Sequence, residues 1–142
     1  MAVKVDLKGL DITLKKLKEL PRVFDEEITI AMNDEGLDWR DDVRSNTPVD
    51  TGDLRRSWVF EGVTKSGFIF EMELSNNLEY ADHVEYGHRQ EPGRFVPAIG
   101  KRLKADYVPG SYMLRDGTNR LEETIPKALR EAVKIARARL SD

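Results

Sequence analysis

Residues Trp58–Ser75 read WVFEGVTKSGFIFEMELS, two apolar-rich runs joined by Lys65-Ser66-Gly67. Small polar residues and glycine between β-prone runs mark a turn, so one strand is expected over Trp58–Val63 and another over Phe68–Ser75. In the second, Phe68, Phe70, Met72 and Leu74 alternate with Ile69, Glu71 and Glu73. That alternation puts one face in a core and leaves the other largely wet. A two-stranded hairpin is marginal in water by itself, so it must pack on helices or recruit another strand.

The flanks supply helices. Upstream, Phe24, Ile28, Met32, Trp39 and Val43 fall on one stripe of a helix beginning near Val23. Pro48 disfavours helical geometry at Thr47, so this helix should stop near Asn46. Gly36 in its middle costs about 1 kcal/mol of helix propensity relative to Ala, which points to close packing there. Ahead of it, Leu7, Leu10, Leu14 and Leu17 predict a shorter amphipathic helix ended by Pro21. Downstream, Asn76-Asn77 breaks the strand, and Tyr80–Tyr86 reads as a short helix or an extended segment.

Gly87–Gly110 then carries three of the six prolines (Pro92, Pro97, Pro109) and predicts a long loop. Leu114, Leu121, Ile125, Leu129, Val133, Ala136 and Leu140 mark the apolar stripe of a final helix, with Pro126 expected to kink or restart it. The expected fold is α+β: an N-terminal helix pair, a small antiparallel sheet built on the hairpin, and a long C-terminal helix packed on the sheet. One domain over residues 1–142 is expected, with a long basic loop at 87–110.

The chain has 142 residues, and 35% are charged, against roughly 25% in an average soluble protein. No apolar run approaches the roughly 20 residues of a membrane-spanning helix, and the start MAVKVDLKGLD lacks the apolar core of a secretory signal. With no Cys there is no disulfide framework, thiol nucleophile or Cys-based zinc site. A soluble intracellular protein without a cofactor is the expectation. Its net charge of −3 conceals segregation. Arg22–Asp53 holds ten acids against three bases, a net of −7, whereas Gly87–Ala105 is +4 and Lys127–Asp142 is +3. Opposed segments of this kind suit pairing within the fold or between copies of it.

Candidate chemistry is thin. Asp50-Thr51-Gly52 matches the catalytic triplet of aspartic proteases, where paired carboxylates share a proton, and a homodimer would supply the pair. Its context differs, because it follows a long acidic helix instead of lying between apolar strands. A structural role is simpler: Asp50 caps the next helical turn and Gly52 supplies conformational freedom. His83, Glu85 and His88 lack the spacing that places two His ligands on one helical face, so they read as ordinary surface or interface groups and not as metal ligands. Ser45, Ser57 and Ser111 have no nucleophile-elbow context, and no Gly-rich phosphate loop is present. The basic loop and the final basic stripe (Lys127, Arg130, Lys134, Arg137) fit incidental DNA contact inside an assembly better than dedicated recognition.

Three motifs, TPVDTGDLRRSW (47–58), YADHVEYGHR (80–89) and VPGSYMLRDG (108–117), occur in an order that resembles one family. It is the tail-completion, or head–tail joining, family of tailed bacteriophages and prophages, of the Hong Kong 97 type. The residues carrying the resemblance are Pro48, Asp50, Thr51, Gly52, Leu54 and Arg55 in the first motif. In the second they are Tyr80, Ala81, Val84, Glu85, Tyr86 and Gly87, and in the third Pro109, Gly110, Tyr112, Met113 and Leu114. The resemblance implies a non-enzymatic subunit of the virion neck, assembled in the host cytoplasm. It also implies a ring, with a hexamer favoured, that meets portal or head-closure proteins and tail-terminator or tail-tube proteins. Minor capsid or tail-terminator roles are the alternatives within the structural class. A ring needs unlike faces that fit, and the charge segregation offers Asp38, Asp41 and Asp42 of one subunit against Arg89, Arg94, Lys101 and Arg102 of the next.

Overall fold

The computed structural model describes residues 2–6, 22–67, 69–97 and 100–141. The elements run β1 (Ala2–Asp6), α1 (Val23–Ser45), α2 (Asp53–Arg56), β2 (Trp58–Ser66) and β3 (Ile69–Asn76). They continue with α3 (Ala81–Tyr86), β4 (Gly87–Arg89), β5 (Phe95–Val96), β6 (Lys101–Arg102), β7 (Tyr107–Pro109) and α4 (Met113–Ser141). The fold is α+β, as expected. The leucine-rich helix expected between Leu7 and Leu17 lies outside the described residues.

The hairpin forms and recruits its third strand. The main sheet has the order β1-β3-β2, antiparallel throughout, with Val3 opposite Leu74 and Val5 opposite Met72. Trp58 pairs with Asn76 and Phe60 with Leu74, and the register then shifts before Val63 meets Met72. At this irregularity the Val63 N–H turns to α1 and donates to Asn33 Oδ1 at 3.0 Å. Phe70, Met72 and Leu74 are buried on one face, while Glu71 and Glu73 sit on the other, half-covered. Period-two patterning thus survives intact from sequence to sheet.

The stripe read along α1 is buried in full: Phe24, Ile28, Met32, Trp39 and Val43, with Gly36 among them. Helix α4 lies against α1 along its length and shares one core with the sheet, through Met113, Leu114, Leu121, Ile125 and Ala132. The two helices are antiparallel, since Arg120 near the start of α4 meets Asp42 and Arg139 near its end meets Glu26 and Glu27. Two expectations need correction here. Helix α4 is continuous through Pro126 and does not restart there. The apolar stripe ends at Ala136, leaving Leu140 46% exposed.

At Gly36 the helix accepts a neighbour that no other residue would admit. A Cβ there would lie 2.0 Å from Phe60 Cζ. Replacing Gly36 with Ala gains about 1 kcal/mol of helix propensity, yet overpacking of this kind costs roughly 1–3 kcal/mol. The clash wins narrowly because the Phe60 ring is only half-buried and yields in part. Urea unfolding should show Gly36→Ala less stable by about 1 kcal/mol, and Phe60→Leu should abolish that loss in a double-mutant cycle. A Gly36→Ala protein as stable as the parent would mean that the ring does not occupy the helix face.

The expected irregular loop at 87–110 is instead a β-ribbon. Strands β4 and β7 pair at its base, with His88 opposite Val108. Strands β5 and β6 pair farther out, with Phe95 opposite Arg102. Bonds from Gln90 N–H to Asp106 O (2.9 Å) and from Leu103 N–H to Arg94 O (2.8 Å) join the two ladders. Sequence patterning missed these strands because they are two or three residues long and bury neither face.

Candidate functional site

The first motif is a brace between α1 and the sheet. After the last turn of α1, the buried Thr47 hydroxyl donates to Val43 O (2.6 Å) and accepts from Trp58 Nε1 (2.9 Å). Arg44 donates to Trp58 O at 2.8 Å, and Arg55 reaches back to Thr47 O at 2.9 Å. A guanidinium on the free carbonyls past a helix C-terminus is electrostatically well placed. Leu54 is buried, and its carbonyl accepts from the buried Asn76 side chain at 2.9 Å. Gly52 holds φ +88°, the left-handed region for which glycine is suited. The cap on α2 differs from expectation: Asp50 makes no cap, and Thr51 Oγ1 instead accepts from Asp53 N–H at 3.3 Å. Asp50 is exposed on a turn leading into a helix, so the protease reading has no structural support.

The second and third motifs form a single junction. Glu85, expected to be an ordinary surface group, is 1% exposed. Its carboxylate accepts the backbone N–H of Leu114 (2.8 Å) and of Arg115 (2.9 Å), in the first turn of α4. A helix N-terminus presents unpaired N–H groups and a partial positive charge, and a buried carboxylate satisfies both. Around it the chains meet backbone to backbone. Ser111 N–H donates to Val84 O (2.8 Å), Tyr112 N–H to Glu85 O (3.1 Å), and the Tyr107 hydroxyl to Tyr86 O (3.1 Å). Tyr112 takes φ +50°, uncommon for a residue with a side chain, and the Arg115 guanidinium lies over its ring at 3.9 Å.

These motifs frame two surface features that sequence reading did not find. One is an open groove of about 550 Å³ lined by residues of the first two motifs, among them Pro48, Val49, Leu54, Tyr80 and Val84. Val49 is 56% exposed and Tyr80 44%, so its floor offers apolar surface to solvent. The other is the ribbon itself, which emerges beside the groove and contributes nothing to the core. Arg89, Arg94, Lys101, Arg102 and Lys104 are exposed along it, as are the Phe95 and Tyr107 rings. The groove escaped detection because its walls come from segments some thirty residues apart, each of which reads locally as a turn or a short helix.

The charge segregation is partly consumed inside the fold. Arg120 makes a two-pronged contact with Asp42 (2.7 and 3.0 Å), and Arg139 bridges Glu27 (2.7 Å) and Glu26 (3.2 Å). Hydrogen bonds donated to these carboxylates hold both guanidinium groups above the usual arginine value. Asp42, counted among the acids for a neighbouring subunit, therefore already has a partner in its own chain. Asp38 and Asp41 remain exposed on α1, although Asp41 also accepts from the adjacent Arg40 guanidinium at 3.1 Å.

His83 and His88 stack with ring centroids 5.1 Å apart, while Glu85 is turned inward to the helix. Among the described residues, no group of three or more His, Asp or Glu side chains is placed to hold a metal ion. No described helix is long and apolar enough to cross a membrane. Thr47, Arg55, Glu85 and Ser111 among the motif residues are thus engaged in holding α1, the sheet and α4 together.

No curated protein and no solved structure matches the chain. Residues 11–87, more than half of its length, match the model of the HK97-gp10-like family, described as "Bacteriophage HK97-gp10, putative tail-component". The match includes the first motif and closes at Gly87, the last residue of the second motif's matching set and the first of the ribbon. By this match the chain belongs to the HK97-gp10-like family of bacteriophage tail components.

Proposed function

We propose that this chain is a non-enzymatic structural subunit of the virion neck, completing the tail and joining it to the head as part of a ring. The observation that carries the reading is the exposed basic ribbon, fixed at its root to a body whose motif residues serve folding. A two-stranded ribbon that adds no residue to the core gains little stability alone, so its use lies in contact with something else. Asp38 and Asp41 of one subunit face Arg89, Arg94, Lys101 and Arg102 of the next in this reading, a head-to-tail contact that closes into a ring. The hexamer and the neighbours, portal or head-closure proteins on one side and tail-terminator or tail-tube proteins on the other, follow the family resemblance. Contact between the ribbon and DNA is incidental to this role, and it fades steeply with salt.

Electron microscopy of particles assembled without the protein tests the reading. Separate heads and tails, or tails with defective ends, are the expected result. Intact virions of normal length and infectivity in its absence would remove the role.

A further inference from the structure

The groove and the ribbon fit each other, but not within one chain. We propose that the ribbon of one subunit seats Phe95 in the motif groove of the next copy. This deepens the ring reading above and rests on it.

The chemistry is complementary. The groove is lined by the apolar Pro48, Val49, Leu54, Tyr80 and Val84 together with the polar turn 50–53, and its volume of about 550 Å³ admits an aromatic ring. Exposed acids, Asp50, Glu79 and Asp82, stand on or beside the segments that line it. Phe95 is 49% exposed and is flanked by Arg94 and, on the paired strand, by Lys101 and Arg102. An aromatic anchor entering an apolar pocket inside a ring of opposite charges is a common basis for a specific interface.

Geometry decides between the subunit's own groove and a neighbour's. The ribbon starts at Gly87, immediately after α3, whose residue Val84 lines the groove. Between that root and Phe95 the strand is interrupted by a turn over residues 91–94, closed by Arg94 N–H on Glu91 O at 3.2 Å. Phe95, Val49 and Tyr80 all stay exposed in the single chain, so the ribbon does not seat Phe95 in its own groove. The groove at its root is therefore free for the ribbon of another copy. A contact between two different surfaces of identical chains is heterologous, and repeating it closes a ring when the rotation permits.

The absence of cysteine makes the test clean. The full-length chain carrying both Val49→Cys and Phe95→Cys should form, under mild oxidation, a ladder of disulfide-linked multimers on non-reducing gels. Val49→Cys mixed with Phe95→Cys should give a linked dimer only. Phe95→Ala should weaken self-association by roughly tenfold or more in sedimentation, with the melting temperature of the monomer unchanged. Rings that assemble without a ladder, or a disulfide closing within one chain, would overturn the docking and leave the ring reading standing. A chain that stays monomeric at every concentration and gives no ladder would overturn both.

Discussion

Replacing Glu85 with Ala should lower the melting temperature of the monomer by roughly 10 °C. The substitution removes two charge-assisted bonds and leaves the buried Leu114 N–H and the part-buried Arg115 N–H without their acceptor. Each buried donor left unsatisfied costs about 1–3 kcal/mol, and truncation of the side chain adds a cavity. A total near 3–5 kcal/mol is expected, large against the 5–15 kcal/mol of a typical domain. Glu85→Gln should fall between parent and Ala, because the amide accepts one of the two N–H groups while its NH₂ opposes the other. Thermal melts of the three proteins make the comparison. Equal stability of Glu85→Ala and the parent would mean that water reaches the start of α4.

Gly110→Ala should cost about as much, by a different route. Its Cβ would stand 2.2 Å from Glu85 O, 2.6 Å from Tyr86 C and 2.8 Å from Gly87 N. All three are backbone atoms, so no side chain can swing aside. The two segments must separate, which stretches Ser111 N–H to Val84 O and Tyr112 N–H to Glu85 O. It also draws the first turn of α4 away from the Glu85 carboxylate. The expected loss is roughly 3 kcal/mol, read from urea unfolding, with faster amide exchange at Ser111 and Tyr112. Combined with Glu85→Ala the loss should be well short of additive, since both changes open one junction. Full additivity would show that the two act on separate parts of the fold.

What the sequence revealed follows from which signals are local. The limits of α1 were legible because Pro48 and a five-residue apolar stripe sit within one segment. The hairpin was legible because Phe70, Met72 and Leu74 alternate with acids. Close packing at Gly36 was also foreseeable, although its partner Phe60 was not. The third strand, Ala2–Asp6, alternates Val3 and Val5 with Lys4 and Asp6, but five residues beside a leucine-rich run were too short to stand out. The ribbon left no hydrophobic period to read, because its strands are two or three residues long and none of its residues joins the core. Glu85 is the clearest case. Its motif was recognisable, yet its partners lie 29 and 30 residues away, and only the folded chain shows a carboxylate closing a helix.

The root of the ribbon also has a mechanical meaning. Gly87 and Gly110 bring the two strands into backbone contact at the point where they leave the body, and Tyr107 is fastened to Tyr86 beside them. There is no slack at this base. Tension along the ribbon passes into α3 and, through the Glu85 carboxylate, into the first turn of α4. That helix has 29 residues, so at 1.5 Å per residue it is a rod of about 43 Å. The chain is therefore built as a stiff crank. In the proposed ring, strain imposed on one subunit would be handed to the next instead of being absorbed.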